Sequence, residues 1–159
     1  MPLPALERAQ NELLAYGKTG MSVMEMSHRS KMYLDIYKET EATLRSVMSI
    51  PEDYAVLFLA GGATGQFSAI PMNLLPEDGT ADYIDSGNFA HGAAVEAKKY
   101  GNIHIAASSR EENYVRIPAF GPADLDPSAA YVHITTNNTI FGTRYTSLPD
   151  TGLVPLVAD

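Results

Sequence analysis

Short apolar runs alternate along this chain with longer segments in which apolar residues recur every three or four positions. The runs are typical of buried strands, and the longer segments are typical of amphipathic helices. The predicted strands are Tyr54–Leu59, Ala81–Ile84, Ile103–Ala106, Tyr114–Ile117, Ala130–Ile134 and Leu153–Ala158. The predicted helices are Pro4–Tyr16, His28–Met48, the segment between the central glycine cluster and Pro76, and Asn88–Tyr100. This alternation predicts an α/β fold with a mostly parallel sheet and flanking helices.

A glycine-rich turn follows the first predicted strand, in the segment LFLAGGATGQF (Leu57–Phe67). A strand, a turn and a helix in this order leave free N–H groups at the helix N-terminus, where a phosphate can bind. Alternatively, the glycines of Gly61–Gly65 serve only close packing. The cluster lacks the lysine of a Walker A loop and the three-glycine spacing of the dinucleotide fingerprint. It therefore fits a monophosphate better than a nucleotide, with the Thr64 hydroxyl as an additional donor.

Three segments follow predicted strands, namely Gly61–Thr64, Ser86–Phe89 and Asp159. The carboxyl ends of parallel strands meet at one edge of the sheet, so we expect these segments to converge on a ligand crevice there. Each also has a plainer interpretation. Phe89 is then a core aromatic and Asp159 a residue that ends a strand. Asn137–Thr139, which follow the predicted strand Ala130–Ile134, are then a turn.

The pair His28-Arg29 opens the long predicted helix, with Ser27 as its expected N-cap. A cation at this end opposes the helix dipole. The pair is therefore a candidate for binding a carboxylate or phosphate, and a solvated helix start is the alternative. His133 lies within an apolar strand, and we expect it to be a hydrogen-bonded core histidine rather than a ligand.

Composition limits the function classes. The chain has 159 residues, a net charge of −8 and no cysteine. An acidic chain without basic clusters is a poor candidate for binding nucleic acid or an anionic membrane surface. The four histidines show no metal-ligand spacing, and no G-x-S-x-G elbow supports a serine hydrolase. The expectation is a soluble intracellular protein of one domain, with no metal, nucleic acid or membrane partner.

Four segments together resemble a known family. In chain order they are GMSVMEMSHRSK, VLFLAGGATGQFSAIPMNLL, TADYIDSGNFAHGAAVEAKKYG and AAYVHITTNNTIFGT. The chain resembles the phosphoserine aminotransferases, which are class V pyridoxal-phosphate enzymes with the aspartate-aminotransferase type of fold. The resemblance extends over essentially all 159 residues. It implies the large domain of that fold.

The resemblance implies a role for several positions. Ala63 and Thr64 match the pair that holds the cofactor phosphate, and Phe89 matches the aromatic residue that stacks on the pyridine ring. The family commonly has Trp at that position, so Phe89 is a departure. Thr139 matches a threonine near the ring hydroxyl, and Asp159 matches the acid that pairs with the pyridinium nitrogen. His28 and Arg29 match the site for the substrate anion.

The implied reaction transfers the amino group of L-glutamate to 3-phosphohydroxypyruvate, which gives 2-oxoglutarate and O-phospho-L-serine. This is a step of serine biosynthesis, and it uses pyridoxal 5'-phosphate as cofactor. The resemblance also implies a cytoplasmic homodimer. A serine–glyoxylate type of aminotransferase is the nearest alternative, although the SHRSK block disfavours it.

Two parts of the family pattern have no counterpart in the sequence. In the family, the Schiff-base lysine follows the acid that Asp159 matches. A substrate-binding segment of the family also precedes the position that Leu3 matches. We therefore expect residues 1–159 to form part of the large domain, without the catalytic lysine or the small C-terminal domain. By this expectation the chain alone is inactive and poorly soluble. A non-catalytic remnant or interaction module of the same fold stays open, as does a simple phosphate-ligand binding protein.

Overall fold

The computed structural model describes all 159 residues, which divide into two compact units, Met1–Leu59 and Ala60–Asp159. The first unit contains helix α1 (Leu3–Glu12), a 3₁₀ turn at Val23–Glu25 and helix α2 (Lys31–Met48). The Ser30 hydroxyl accepts a hydrogen bond from the Tyr33 N–H at 3.3 Å, so Ser30 is the N-cap of α2.

Three predictions for the first unit need correction. Helix α2 begins three residues later than predicted, because Ser30 rather than Ser27 caps it. His28 and Arg29 consequently lie in the turn before the helix, and the expected conflict with the helix dipole does not arise. Helix α1 ends at Glu12, before the predicted end at Tyr16.

The apolar run Tyr54–Leu59 does not form the predicted strand. Leu57 is 72% exposed and Leu59 is 64% exposed, so the segment is not buried either. The prediction failed because an apolar run forms a buried strand only where a neighbouring strand pairs with it, and the first unit contains no other strand.

The second unit contains a four-stranded parallel sheet and a short antiparallel hairpin. Its elements are α3 (Ala63–Leu74), β1 (Thr80–Asp85), α4 (Asn88–Ala97), β2 (Asn102–Ser108), β3 (Val132–Ile134), β4 (Asn137–Asn138), β5 (Thr143–Arg144) and β6 (Leu156–Ala158). The order of strands in the sheet is β2-β1-β3-β6, and β4 pairs with β5. The predicted α/β class and parallel sheet are confirmed.

Helices α3 and α4 cover one face of the sheet. Alanines of α4 are fully buried against Tyr83 and Tyr131, whose hydroxyl groups are hydrogen-bonded to each other at 2.9 Å. Because alanine has a small side chain, α4 can approach the strands closely. The opposite face packs on a second cluster that includes Ile84, Val132 and Ile134. Both faces of the sheet are thus covered by hydrophobic clusters.

Two local features differ from the prediction. Residues Tyr114–Ile117 form no strand, since Tyr114 has a left-handed backbone (φ 56°) and its hydroxyl donates to the buried Asp85 carboxylate at 3.0 Å. The hairpin of β4 and β5 was not predicted, because two-residue strands are too short to show an alternating pattern.

No helix of the structure combines the length and apolar character needed to cross a lipid bilayer.

Candidate functional site

A cavity of about 220 Å³ opens at the carboxyl ends of β3 and β6, where parallel sheets commonly bind ligands. Its lining consists of Ala63, Phe67, Phe89, Thr135, Thr136, Asn137, Thr139 and Asp159. Four of the five residues predicted to bind a cofactor are in this lining, and Thr64 is not. The predicted convergence of the strand ends therefore occurs within the second unit.

The N-terminus of α3 forms one wall of the cavity. Gly61 has a left-handed backbone (φ 104°), which glycine adopts without strain, and Gly62 is the N-cap. A methyl group added at Gly61, Gly62 or Gly65 would meet no atom within 4 Å. The close-packing interpretation of these glycines is therefore wrong. They leave open space in front of the first N–H groups of a helix, which have no acceptor within the helix and attract anions.

Asp159 forms another wall, and β3 fixes its backbone. The Asp159 N–H donates to the carbonyl of Ile134 at 2.9 Å. The carbonyl of Asp159 accepts from both the N–H and the hydroxyl of Thr136, at 2.7 and 2.9 Å. Burial raises the pKa of the Asp159 carboxyl above its usual value. A cation bound in the cavity would favour the ionised carboxylate and reverse this shift.

Phe89 lies in the first turn of α4 and contributes its ring to the cavity. The side chain is 45% exposed, whereas the buried face of α4 consists of alanines. The core interpretation of Phe89 is therefore wrong. A half-exposed aromatic ring at the edge of a cavity offers a flat apolar surface on which a ligand ring can stack.

Several buried polar atoms near the carboxyl ends of the strands lack a hydrogen-bond partner. They include the hydroxyl oxygens of Ser86 and Thr135, the Asn138 Oδ1 and both ring nitrogens of His133. Thr135 is 5% exposed and belongs to the cavity lining. Buried polar groups are usually paired, so the Thr135 hydroxyl is an exception that leaves one hydrogen bond in the cavity wall unmade.

His133 is fully buried, as predicted, but it is not hydrogen-bonded. Its ring stacks on Tyr83 with centroids 4.7 Å apart and an angle of 14° between the planes. Burial lowers its pKa to about 4. The prediction of a buried core histidine is therefore right, and the prediction that this histidine is hydrogen-bonded is wrong.

The sequence analysis assigned no binding role to four lining residues, namely Phe67, Thr135, Thr136 and Asn137, and interpreted Asn137 only as part of a turn. The last three directly follow β3, and that position was a usable signal because residues after a parallel strand face the ligand crevice. Phe67 is buried and belongs to the core cluster that also contains Tyr83 and alanines of α4, and no sequence signal indicated that it also lines the cavity.

The residues predicted for the substrate anion lie in the first unit. His28 borders an apolar groove of about 510 Å³ that Tyr33, Tyr37 and Phe58 also line, and the lining does not include Arg29. Both side chains are exposed. Their role in substrate binding stays a prediction.

The cavity lining contains no lysine. Lys31 forms an exposed ion pair with Asp35, and Lys99 pairs with Glu96 on α4. The structure contains no cluster of three or more histidine and carboxylate side chains that could hold a metal. The polar groups around the cavity are backbone N–H groups, hydroxyls, an amide and one carboxylate. The N–H groups suit an anion and the single carboxylate suits a cationic group, whereas a hard metal ion prefers several oxygen ligands.

The sequence matches a family model described as aminotransferase class V over residues 1–153. A phosphoserine aminotransferase of Desulfatibacillum aliphaticivorans is 51% identical over 160 residues. One of Pseudomonas aeruginosa (strain LESB58) is 51% identical over 159 residues. Each match covers 100% of this chain and 44% of the relative. The chain therefore spans less than half the length of these curated relatives.

Solved structures of phosphoserine aminotransferases also resemble this chain over less than half of their own length. A phosphoserine aminotransferase from Bacillus circulans subsp. alkalophilus superposes with a TM-score of 0.91 at 46% identity, over 99% of this chain and 44% of that one. A phosphoserine aminotransferase from Trichomonas vaginalis, solved with bound pyridoxal phosphate, gives a TM-score of 0.89 at 36% identity and the same coverage.

Proposed function

Because this chain belongs to the class V aminotransferases, we propose that the cavity of its second unit binds pyridoxal 5'-phosphate for a phosphoserine aminotransferase. One observation supports the proposal most strongly. Ala63, Phe89, Thr139 and Asp159, which the family pattern assigns to the cofactor, come from four separate segments and line a single cavity.

The phosphate is proposed to bind at the N-terminus of α3. The N–H groups of Ala63 and Thr64 lie in the first turn, and the Thr64 hydroxyl adds a neutral donor. The helix dipole favours an anion there by about 0.3–1 kcal/mol, and by more where the site is partly buried. The open space beside Gly62 and Gly65 gives the phosphate access to these donors.

The pyridine ring is proposed to lie between Phe89 and the strand ends. The Phe89 side chain supplies a stacking surface, and Thr139 is assigned to the ring hydroxyl. The Asp159 carboxylate is assigned to the ring nitrogen, where it holds a proton by charge pairing. Bound pyridoxal phosphate, when protonated at that nitrogen, supplies an electron sink for a carbanion at the substrate Cα.

The proposed substrates are L-glutamate and 3-phosphohydroxypyruvate, with 2-oxoglutarate and O-phospho-L-serine as products. His28 and Arg29 are proposed to bind the extra anionic group of the substrate, Arg29 in bidentate fashion. The activity is proposed for a protein of the full family length, and residues 1–159 are proposed to be part of its large domain. A homodimer and a cytoplasmic location belong to the same proposal and rest on the resemblance alone.

A substrate comparison on the full-length protein tests this proposal. We expect transamination of 3-phosphohydroxypyruvate by L-glutamate, and the reverse reaction from phosphoserine. An Arg29→Ala variant should raise KM for the phosphorylated substrate far more than it changes kcat. A protein that transaminates glyoxylate with serine but leaves phosphoserine unchanged would instead be a serine–glyoxylate type of enzyme.

A further inference from the structure

The Asn138 side chain connects two walls of the cavity. It is 2% exposed, and its Nδ2 donates to the backbone carbonyl of Ser86 at 2.8 Å. The same nitrogen contacts the Thr143 hydroxyl at 3.2 Å, which fixes the side chain against the hairpin of β4 and β5. One buried amide therefore joins the hairpin to the turn that precedes α4.

Gly87 is in close contact with this amide. A methyl group added at Gly87 would lie 2.4 Å from Cγ and Oδ1 of Asn138 and 2.6 Å from its Nδ2. The backbone of Gly87 is extended (φ 169°, ψ −178°), a conformation that any residue adopts. The requirement for glycine at this position therefore comes from the Asn138 side chain and not from backbone strain.

The two segments that Asn138 joins both reach the cavity. Ser86 and Gly87 lead directly into α4, whose first turn carries Phe89. Asn138 lies between Asn137 and Thr139, which also line the cavity. Asn138 and Gly87 thus connect the segment that carries Phe89 with the segment that carries Thr139.

We propose that Asn138 is a positioning residue that fixes Phe89 relative to Thr139, and so sets the width of the slot for the cofactor ring. This inference rests on the proposed function, because the slot matters only if a ring binds there. Asn138 itself is not assigned a contact with the cofactor. Its effect is transmitted through the Ser86 carbonyl and the close contact with Gly87.

The test uses the full chain as wild type and as Gly87→Ala, Asn138→Ala and the double variant. Thermal unfolding without cofactor tests the contact. Gly87→Ala should lower Tm strongly, and the double variant should recover most of that loss, since truncation of Asn138 opens space for the new methyl group. Gly92→Ala on α4 is the matched control, because its methyl group would meet only Phe67 at 3.9 Å and should not lower Tm.

Titration with pyridoxal phosphate tests the positioning role. We expect Asn138→Ala and the double variant to bind about tenfold more weakly than wild type, with a changed circular dichroism band of the bound cofactor. The double variant should therefore recover stability without recovering affinity. A purely structural role would restore both together, and that result would overturn the proposal.

Three further outcomes also decide the matter. If Gly87→Ala is as stable as wild type, or if the double variant is no more stable than Gly87→Ala, the contact does not constrain the turn and the inference is wrong. If wild type binds no pyridoxal phosphate, the proposed function fails and the positioning role fails with it. The unfolding data alone still decide whether Asn138 restricts Gly87.

Discussion

Tyr83 and His133 lie on adjacent parallel strands and stack almost face to face, with ring centroids 4.7 Å apart. Neither ring nitrogen of His133 has a hydrogen-bond partner, and the side chain is fully buried. The imidazole therefore sits in an apolar site that suits only its neutral form, and burial lowers its pKa from 6.5 to about 4.

We expect acid to destabilise the second unit through His133. Between pH 6.5 and about pH 4 the unfolded chain binds a proton at this histidine and the folded chain does not. The free energy of unfolding should therefore fall as the pH falls through this window, by a total of about 3 kcal/mol at its lower end. Urea unfolding at several pH values measures the change.

A His133→Phe variant provides the control for this effect. Its ring can still stack on Tyr83, but it does not titrate. The acid-dependent loss of stability should be smaller in this variant by the amount that His133 contributes. Equal pH dependence in the two proteins would contradict the assignment.

A second prediction concerns Asp82 and His104. The buried Asp82 carboxylate accepts from the backbone N–H of Asp126 and contacts the His104 Nδ1, both at 2.7 Å. Removal of the imidazole leaves one carboxylate oxygen without its partner. We expect His104→Ala to lower the free energy of unfolding by about 1–3 kcal/mol. Lys98→Ala, at an exposed position, should change it by less than about 0.5 kcal/mol.

The sequence allowed prediction of the features that depend on local pattern and strand topology. The strand spacing predicted the parallel sheet, and the rule for carboxyl ends then brought Phe89 and Asp159 to one crevice. The glycine cluster predicted the turn before α3. These inferences needed only periodicity, turn chemistry and the geometry of parallel strands, which are encoded within a few residues.

Other features depend on partners that are remote in the sequence. Residues Tyr54–Leu59 have a strand-like pattern but no strand beside them, and pattern alone does not reveal that. The unpaired nitrogens of His133 depend on which side chains surround it. The contact between Gly87 and Asn138 joins positions 51 residues apart (138 − 87 = 51). The sequence shows a glycine at position 87, but no local rule predicts that this glycine contacts Asn138.

Phe89 should contribute to cofactor affinity but little to folding. Its ring is half exposed, so Phe89→Ala should leave the Tm of the cofactor-free chain nearly unchanged. We expect the Kd for pyridoxal phosphate to rise about tenfold, since aromatic stacking contributes about 0.5–1.5 kcal/mol in addition to the buried area. Equilibrium titration measures the change.

A Phe89→Trp variant completes this comparison. The larger ring should bind the cofactor at least as tightly as phenylalanine does. The chain contains no tryptophan, so the new indole is also a unique fluorescence reporter. Bound pyridoxal phosphate should quench it, and an unquenched indole at saturating cofactor would place the ring elsewhere.

The affinity for pyridoxal phosphate should also depend on the charge of Asp159. Burial raises the pKa of this carboxyl, and only its ionised form pairs with a protonated ring nitrogen. Affinity should therefore fall as the pH falls through the raised pKa. Asp159→Asn should bind more weakly at neutral pH and lose this component of the pH dependence. If both proteins lose affinity equally as the pH falls, the pH dependence comes from the cofactor phosphate and not from Asp159.

The most direct test of the central claim is a titration of the full-length protein and its Ala63→Asp variant with pyridoxal phosphate. Aspartate in the first turn of α3 favours the helix through its dipole, but it repels a phosphate at the same N–H groups. Asn73→Asp, near the other end of α3, is the control. We predict one bound cofactor per wild-type chain, unchanged affinity in the control, and at least about tenfold weaker binding in Ala63→Asp without loss of Tm. No binding by wild type, or equal binding by Ala63→Asp, would contradict the proposed site.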